Sequence, residues 1–96
     1  MSTEYKNIKT NTALLTRFYG GEARGVCLQI SKVNSYSSGY LQLTHKEAIK
    51  LQSKLKKSVK GFCFEVAQGF YIDHKQCKTL VKDLNLFIND EIHKQG

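Results

Sequence analysis

The sequence has no apolar run near the ~18–20 residues that cross a bilayer, which argues against an integral membrane protein. Its start, Met1 to Lys9, is polar and lacks the apolar centre of a secretory signal. A soluble, cytoplasmic protein is the expectation. Cysteine is scarce: Cys27, Cys63 and Cys77 are odd in number and widely spaced, and no C-x-x-C pair exists. His45, His74 and His93 do not fall at zinc-ligand spacings, so the thiols are expected to be reduced and partly buried, with no metal. Catalytic signatures are missing as well. There is no Gly-x-Ser-x-Gly, no glycine-rich phosphate loop ending in Lys-Ser or Lys-Thr, and no spaced pair of catalytic carboxylates. Neither an enzyme nor a cofactor is expected.

Acidic side chains are few, eight against fifteen Lys and Arg in 96 residues, for a net charge of +7. The imbalance is lopsided. Residues 1–60 hold 11 basic and 3 acidic side chains, and residues 61–96 hold 4 and 5. The positive field therefore belongs to the first part of the chain, and it suits a polyanion or an acidic protein surface. A hydrophobic content of 41% is enough for one modest core.

Two segments read alike. Gly25 to Ser31 is followed by Gly39 to Ala48 and a helical pattern, and Gly61 to Ala67 is followed by Gly69 to Cys77 and a second one. Val26, Leu28 and Ile30 alternate with polar residues as a half-buried strand does, and Phe62, Phe64 and Val66 repeat them. Leu41 with Leu43, and Phe70 with Ile72, mark the return strands, joined by a loop ending at Gly39 and by a tight Gln68-Gly69 turn. Thr44-x-x-Glu47 and Asp73-x-x-Gln76 fit the capping box that opens a helix. Behind them, Ala48, Leu51, Leu55 and Val59 form one apolar stripe, and Cys77, Leu80, Leu84 and Ile88 form its equivalent.

Thr12 to Tyr19 reads as an additional strand, turned into the next by Gly20-Gly21-Glu22. The expected order is β-β-β-α-β-β-α: an α+β domain, with a largely antiparallel sheet and both helices on one face. Residues 1–11 are expected to be a flexible arm and residues 12–96 a single domain, with repeats at about 25–60 and 61–92. His93 to Gly96 is expected to fray. His45 and His74 hold matching first-turn positions, which the repeat explains without chemistry.

Two surfaces stand out. The first helix carries Lys46, Lys50, Lys54 and Lys57 on one side, whereas Lys75, Lys78 and Lys82 of the second are diluted by Asp83, Asp90 and Glu91. Such a face is either merely solvated or neutralises phosphates. The strand phase opposite the apolar one presents Cys27, Gln29, Ser31, Tyr40, Gln42, Cys63, Glu65 and Tyr71. Arg17 and Tyr19 add to it from the extra strand, with Arg24 and Lys32 at strand ends. Tyrosines among amides and cations suit stacking on unpaired bases, and the same face could instead be covered by a second subunit in a homodimer.

The segment Gly39 to Lys57, a glycine-led strand entering a helix through Leu43-Thr44 with Glu47 at the third helical position, resembles the p15 (positive cofactor four) transcriptional coactivators. Two sheet-then-helix repeats in one chain are also similar to the Whirly and PUR-repeat proteins. The resemblance covers residues 13–59 once and 61–92 again, and the second copy lacks a counterpart of the extra strand. It implies single-stranded DNA or RNA binding on a curved sheet, in regulation of transcription or replication. Phosphates would meet Lys46, Lys50, Lys54, Lys57, Arg17, Arg24 and Lys32, and bases would stack on Tyr19, Tyr40 and Tyr71. The alternative is a protein-interaction module or inhibitor docking on an acidic protein surface.

Overall fold

Both helices start where a side chain can take up an otherwise unpaired amide. In the computed structural model, which describes residues 7–9, 13–32 and 39–94, the Glu47 amide donates to Thr44 Oγ1 at 3.2 Å and the Thr44 amide to Glu47 Oε1 at 2.9 Å. The same reciprocal pair joins Asp73 and Gln76 at 2.7 and 2.9 Å. These capping boxes open α1 (His45–Lys56) and α2 (His74–Ile88). Ala48, Leu51 and Leu55 of α1 are buried, as are Cys77, Leu80 and Leu84 of α2. The stripes end differently from expectation. α1 stops before Val59, which is 59% exposed, and Phe87 rather than Ile88 is the last fully buried residue of α2.

The strands are β1 (Asn7–Lys9), β2 (Ala13–Tyr19), β3 (Val26–Lys32), β4 (Tyr40–Thr44), β5 (Phe64–Ala67) and β6 (Phe70–Ile72). β1 to β4 form one antiparallel sheet in chain order, and β5 and β6 form a separate hairpin. The fold is thus α+β, with the expected β-β-β-α-β-β-α order preceded by a short extra strand. Residues 7–9 of the supposed arm pair with Leu14–Thr16. β1 has only three residues, too few for side-chain alternation to announce it. The loop expected at residues 34–38 lies outside the described residues.

One sheet was expected where there are two, and β5 begins at Phe64 instead of Phe62. β6 is only three residues long, and β5 pairs with nothing else, so no ladder extends to residues 62 and 63. Phe62 is 72% exposed as a result, and Cys63 is exposed too. The tight turn does form, with Gly69 at φ +78°, a value that L side chains rarely adopt. β3 differs because it is paired on both sides, to β2 through Ala13–Tyr19 and to β4 through Tyr40–Thr44.

Leu15, Leu28, Ile30 and Leu43 of the larger sheet share one core with Leu51, Leu55, Leu80, Leu84 and Phe87 of the helices and with Val66, Phe70 and Ile72 of the hairpin. Each fully buried aliphatic or Phe side chain contributes about 1.5–3 kcal/mol relative to exposure. The helices run antiparallel. Gln52 Nε2 donates to Val81 O at 3.0 Å and to Asn85 Oδ1 at 2.7 Å, so this buried polar residue is satisfied. His45 Nε2 donates to Ile88 O at 2.9 Å, and Ser58 Oγ lies 2.8 Å from His74 Nδ1. His45 thus reaches the last residue of α2, and His74 reaches Ser58, two residues past the end of α1. This gives the pair an approximate two-fold relation.

Candidate nucleic-acid interface

With Ala48, Leu51, Gln52 and Leu55 turned inward, a 100° step per residue puts Lys46 and Lys50 on the opposite side of α1, with Lys54 at their flank and Lys57 following as the C-cap residue. All four are exposed. From Lys46 to Lys57 the ridge runs about 16 Å, at 1.5 Å per residue. Arg24, in the β2–β3 turn, joins its N-terminal end through Glu47, at 3.6 Å. Hydrogen bonds from the Thr44 backbone and hydroxyl, with Arg24 beside them, hold the Glu47 carboxyl below its usual range. The one acid on this helix is therefore already engaged by a cap and a cation.

The face of the larger sheet that points away from the helices carries a different chemistry. Gln42 Nε2 donates to Gln29 Oε1 at 3.0 Å, and Gln29 Nε2 to Ser31 Oγ at 3.0 Å. Tyr40, paired with Ser31, is 55% exposed beside this amide ladder. The β2–β3 register puts Leu14, Thr16 and Phe18 on the same face, opposite Ser31, Gln29 and Cys27. They were missed in the sequence, although the phase of Ala13 and Leu15 was the available signal. Cys27, expected to be at most partly buried on this face, is fully buried. The β2–β3 turn closes over it: a Cβ at Gly20 would lie 2.7 Å from its Sγ, which donates to Gly25 O at 3.7 Å.

Several expected contacts are placed elsewhere. Arg17 lies on the helix side of β2, in phase with Leu15, and forms an ion pair with Asp90 beyond the end of α2. Its charge is committed to holding the chain's end. Tyr19 shares that phase and is 47% exposed at the strand terminus. Lys32 is exposed at the end of β3, beside Gly39, where an added Cβ would come within 3.4 Å of Lys32 Cβ and 3.5 Å of Phe70 Cβ. Tyr71 is 60% exposed but faces Glu65 across the hairpin. A hydrogen bond to that carboxylate, and its charge, raise the Tyr71 phenol above its usual range. A phosphate there would meet an anion.

The lysine ridge and the Tyr40 face thus lie on opposite sides of the two layers and do not converge. Among the described residues, no group of three or more His, Cys, Asp or Glu could hold a metal ion, and no helix is long and apolar enough to cross a membrane. Compared with protein-family models, curated proteins and solved structures, the chain has no match.

Proposed function

We propose that this protein binds nucleic acid, with single strands of DNA or RNA as its ligands and little sequence preference. The observation that supports this best is the ridge of α1, where Lys46, Lys50, Lys54 and Lys57 are exposed together and Glu47 is already paired. Lysine ammonium groups meet phosphates as point charges and read no bases, hence the low specificity. The single-strand preference rests on Tyr40, an exposed ring beside an amide ladder, on which unpaired bases can stack. Because the two surfaces are separated, the ridge supplies most of the affinity and Tyr40 a second, weaker contact.

Anisotropy titrations with single- and double-stranded oligonucleotides at several salt concentrations test the reading. Four phosphate contacts on a single strand give a slope of log K against log salt of about −3. Absence of binding at ~50 mM salt, where phosphate contacts are strongest, would exclude it.

A further inference from the structure

The approximate two-fold relation of the helices creates two comparable ends, and the described residues fill only one of them. At the first end, His45 and Phe87 are covered by the 3-10 turn Glu91–Lys94. The His93 ring stacks on His45 with centroids 4.0 Å apart at 28°, and meets Phe87 edge-on at 4.7 Å and 81°. Expected to fray, this residue is instead a ring that plugs the junction, tied in place by the Arg17–Asp90 ion pair.

At the other end the matching histidine, His74, is bonded to Ser58, and no described residue covers them. They line a groove of about 310 Å³, with Leu55 and Val81 as its floor and Lys56, Lys78 and Lys82 around it. No carboxylate lines it among the described residues. Ser58 also borders a second depression of about 370 Å³, walled by Val59, Phe62, Cys63 and Phe64. Phe62 and Val59 are among the most exposed apolar side chains of the molecule, at 72% and 59%. The early end of α1 and the late start of β5 leave them there.

We infer that this groove is a docking site for an acidic peptide segment of a partner protein, carrying an aromatic anchor and a second apolar residue. The anchor takes the place over His74 that His93 takes over His45. Its acidic neighbours meet the three lysines, and its second apolar residue covers Phe62 and Val59. A nucleotide also joins a ring to an anion, but the hydrocarbon walls of the second depression favour a protein side chain. The site is on different residues from the α1 ridge and does not depend on the reading given above.

The test uses a fluorescein-labelled peptide, Asp-Asp-Phe-Glu-Asp-Leu-Glu-Asp, titrated by anisotropy, with amide shifts followed at His74 and Val81. Binding is expected to weaken about tenfold in the exposed-surface variant Lys78→Glu/Lys82→Glu, and about tenfold when the peptide's Phe becomes Ala. The Lys46→Gln/Lys50→Gln/Lys54→Gln/Lys57→Gln variant should bind the peptide as the unaltered protein does, so failure of the ridge and of the groove are read separately. Thermal melts establish that each variant is folded. The inference is overturned if the peptide does not bind, or if the Ala peptide binds equally well. It is also overturned if the Lys78→Glu/Lys82→Glu variant keeps full affinity. Displacement of the peptide by oligo(dT), with the same shifts at His74 and Val81, would make the groove a nucleic-acid site instead.

Discussion

The first strand–strand–helix unit is broad and the second narrow. β3 and β4 belong to a four-stranded sheet, whereas β5 and β6 are a hairpin of four and three residues with an irregular register between Glu65 and Ala67. Their caps and the inner faces of their helices agree closely. Their outer surfaces do not: the first unit shows a lysine ridge and an amide ladder beside Tyr40, and the second shows Tyr71 beside Glu65 and an exposed Phe62. A repeat constrains what sits beneath the caps. The surrounding elements decide what remains exposed.

The largest expected effect sharpens the agreement between the units. Leu55→Ala and Leu84→Ala, at matching buried positions, should each cost about 2–5 kcal/mol in chemical denaturation. Val59→Ala, although part of the stripe read from the sequence, should stay within about 0.5 kcal/mol because the residue is exposed. An equal cost at Val59 would break the account of where α1 ends.

The next contrast is electrostatic. Replacing Lys46, Lys50, Lys54 and Lys57 with Gln should weaken oligonucleotide binding about 100-fold at low salt and flatten the salt slope by about 0.7 per lysine. The same change at Lys75, Lys78 and Lys82 should leave oligonucleotide affinity nearly unchanged. If the two helices lost affinity alike, the assignment of phosphate binding to the first unit would fall.

Smaller effects are expected at the caps, where Thr44→Ala and Asp73→Ala should each cost about 1 kcal/mol in thermal unfolding. Clearly unequal losses would show that one box is dispensable.

The subtlest difference is between His93 and His74. Burial, helped by neighbouring His45 and Arg17, holds His93 below the usual histidine range, against the pull of a backbone hydrogen bond at Phe87. Asp90, paired with Arg17, is the nearby carboxylate. With the folded value depressed, the unfolded chain binds more protons just below about pH 6.5, the ordinary histidine value. The stability from a neutral His93 is therefore present above that pH and is lost as the pH falls beneath it. Melting temperatures at pH 7.5 and 5.5 should differ less in His93→Phe than in the unaltered protein, and an unchanged difference would remove His93 as the cause.

Thr44 with Glu47, Asp73 with Gln76, and the run from Ala48 to Leu55 were legible in the sequence because each depends on residues within one or two helical turns. The lysine ridge was legible for the same reason. β1 was not, since three residues are too few to show a strand's alternation. Arg17 and Tyr19 were assigned to the wrong face because the phase of a strand is defined only against what packs on it. Here Leu15 and Ala13 lie under the helices and take Arg17 with them.

By itself, then, the sequence determined the duplication, the caps, the helix stripes and the placement of positive charge on α1. All of these follow from interactions local in the chain. Tertiary structure decided that the ridge and the Tyr40 face point apart, that Cys27 is buried under Gly20, and that one end of the helix pair is plugged by His93 while no described residue plugs the other. Those outcomes depend on contacts between residues distant in the chain, whose geometry exists only once the sheet and both helices share one core.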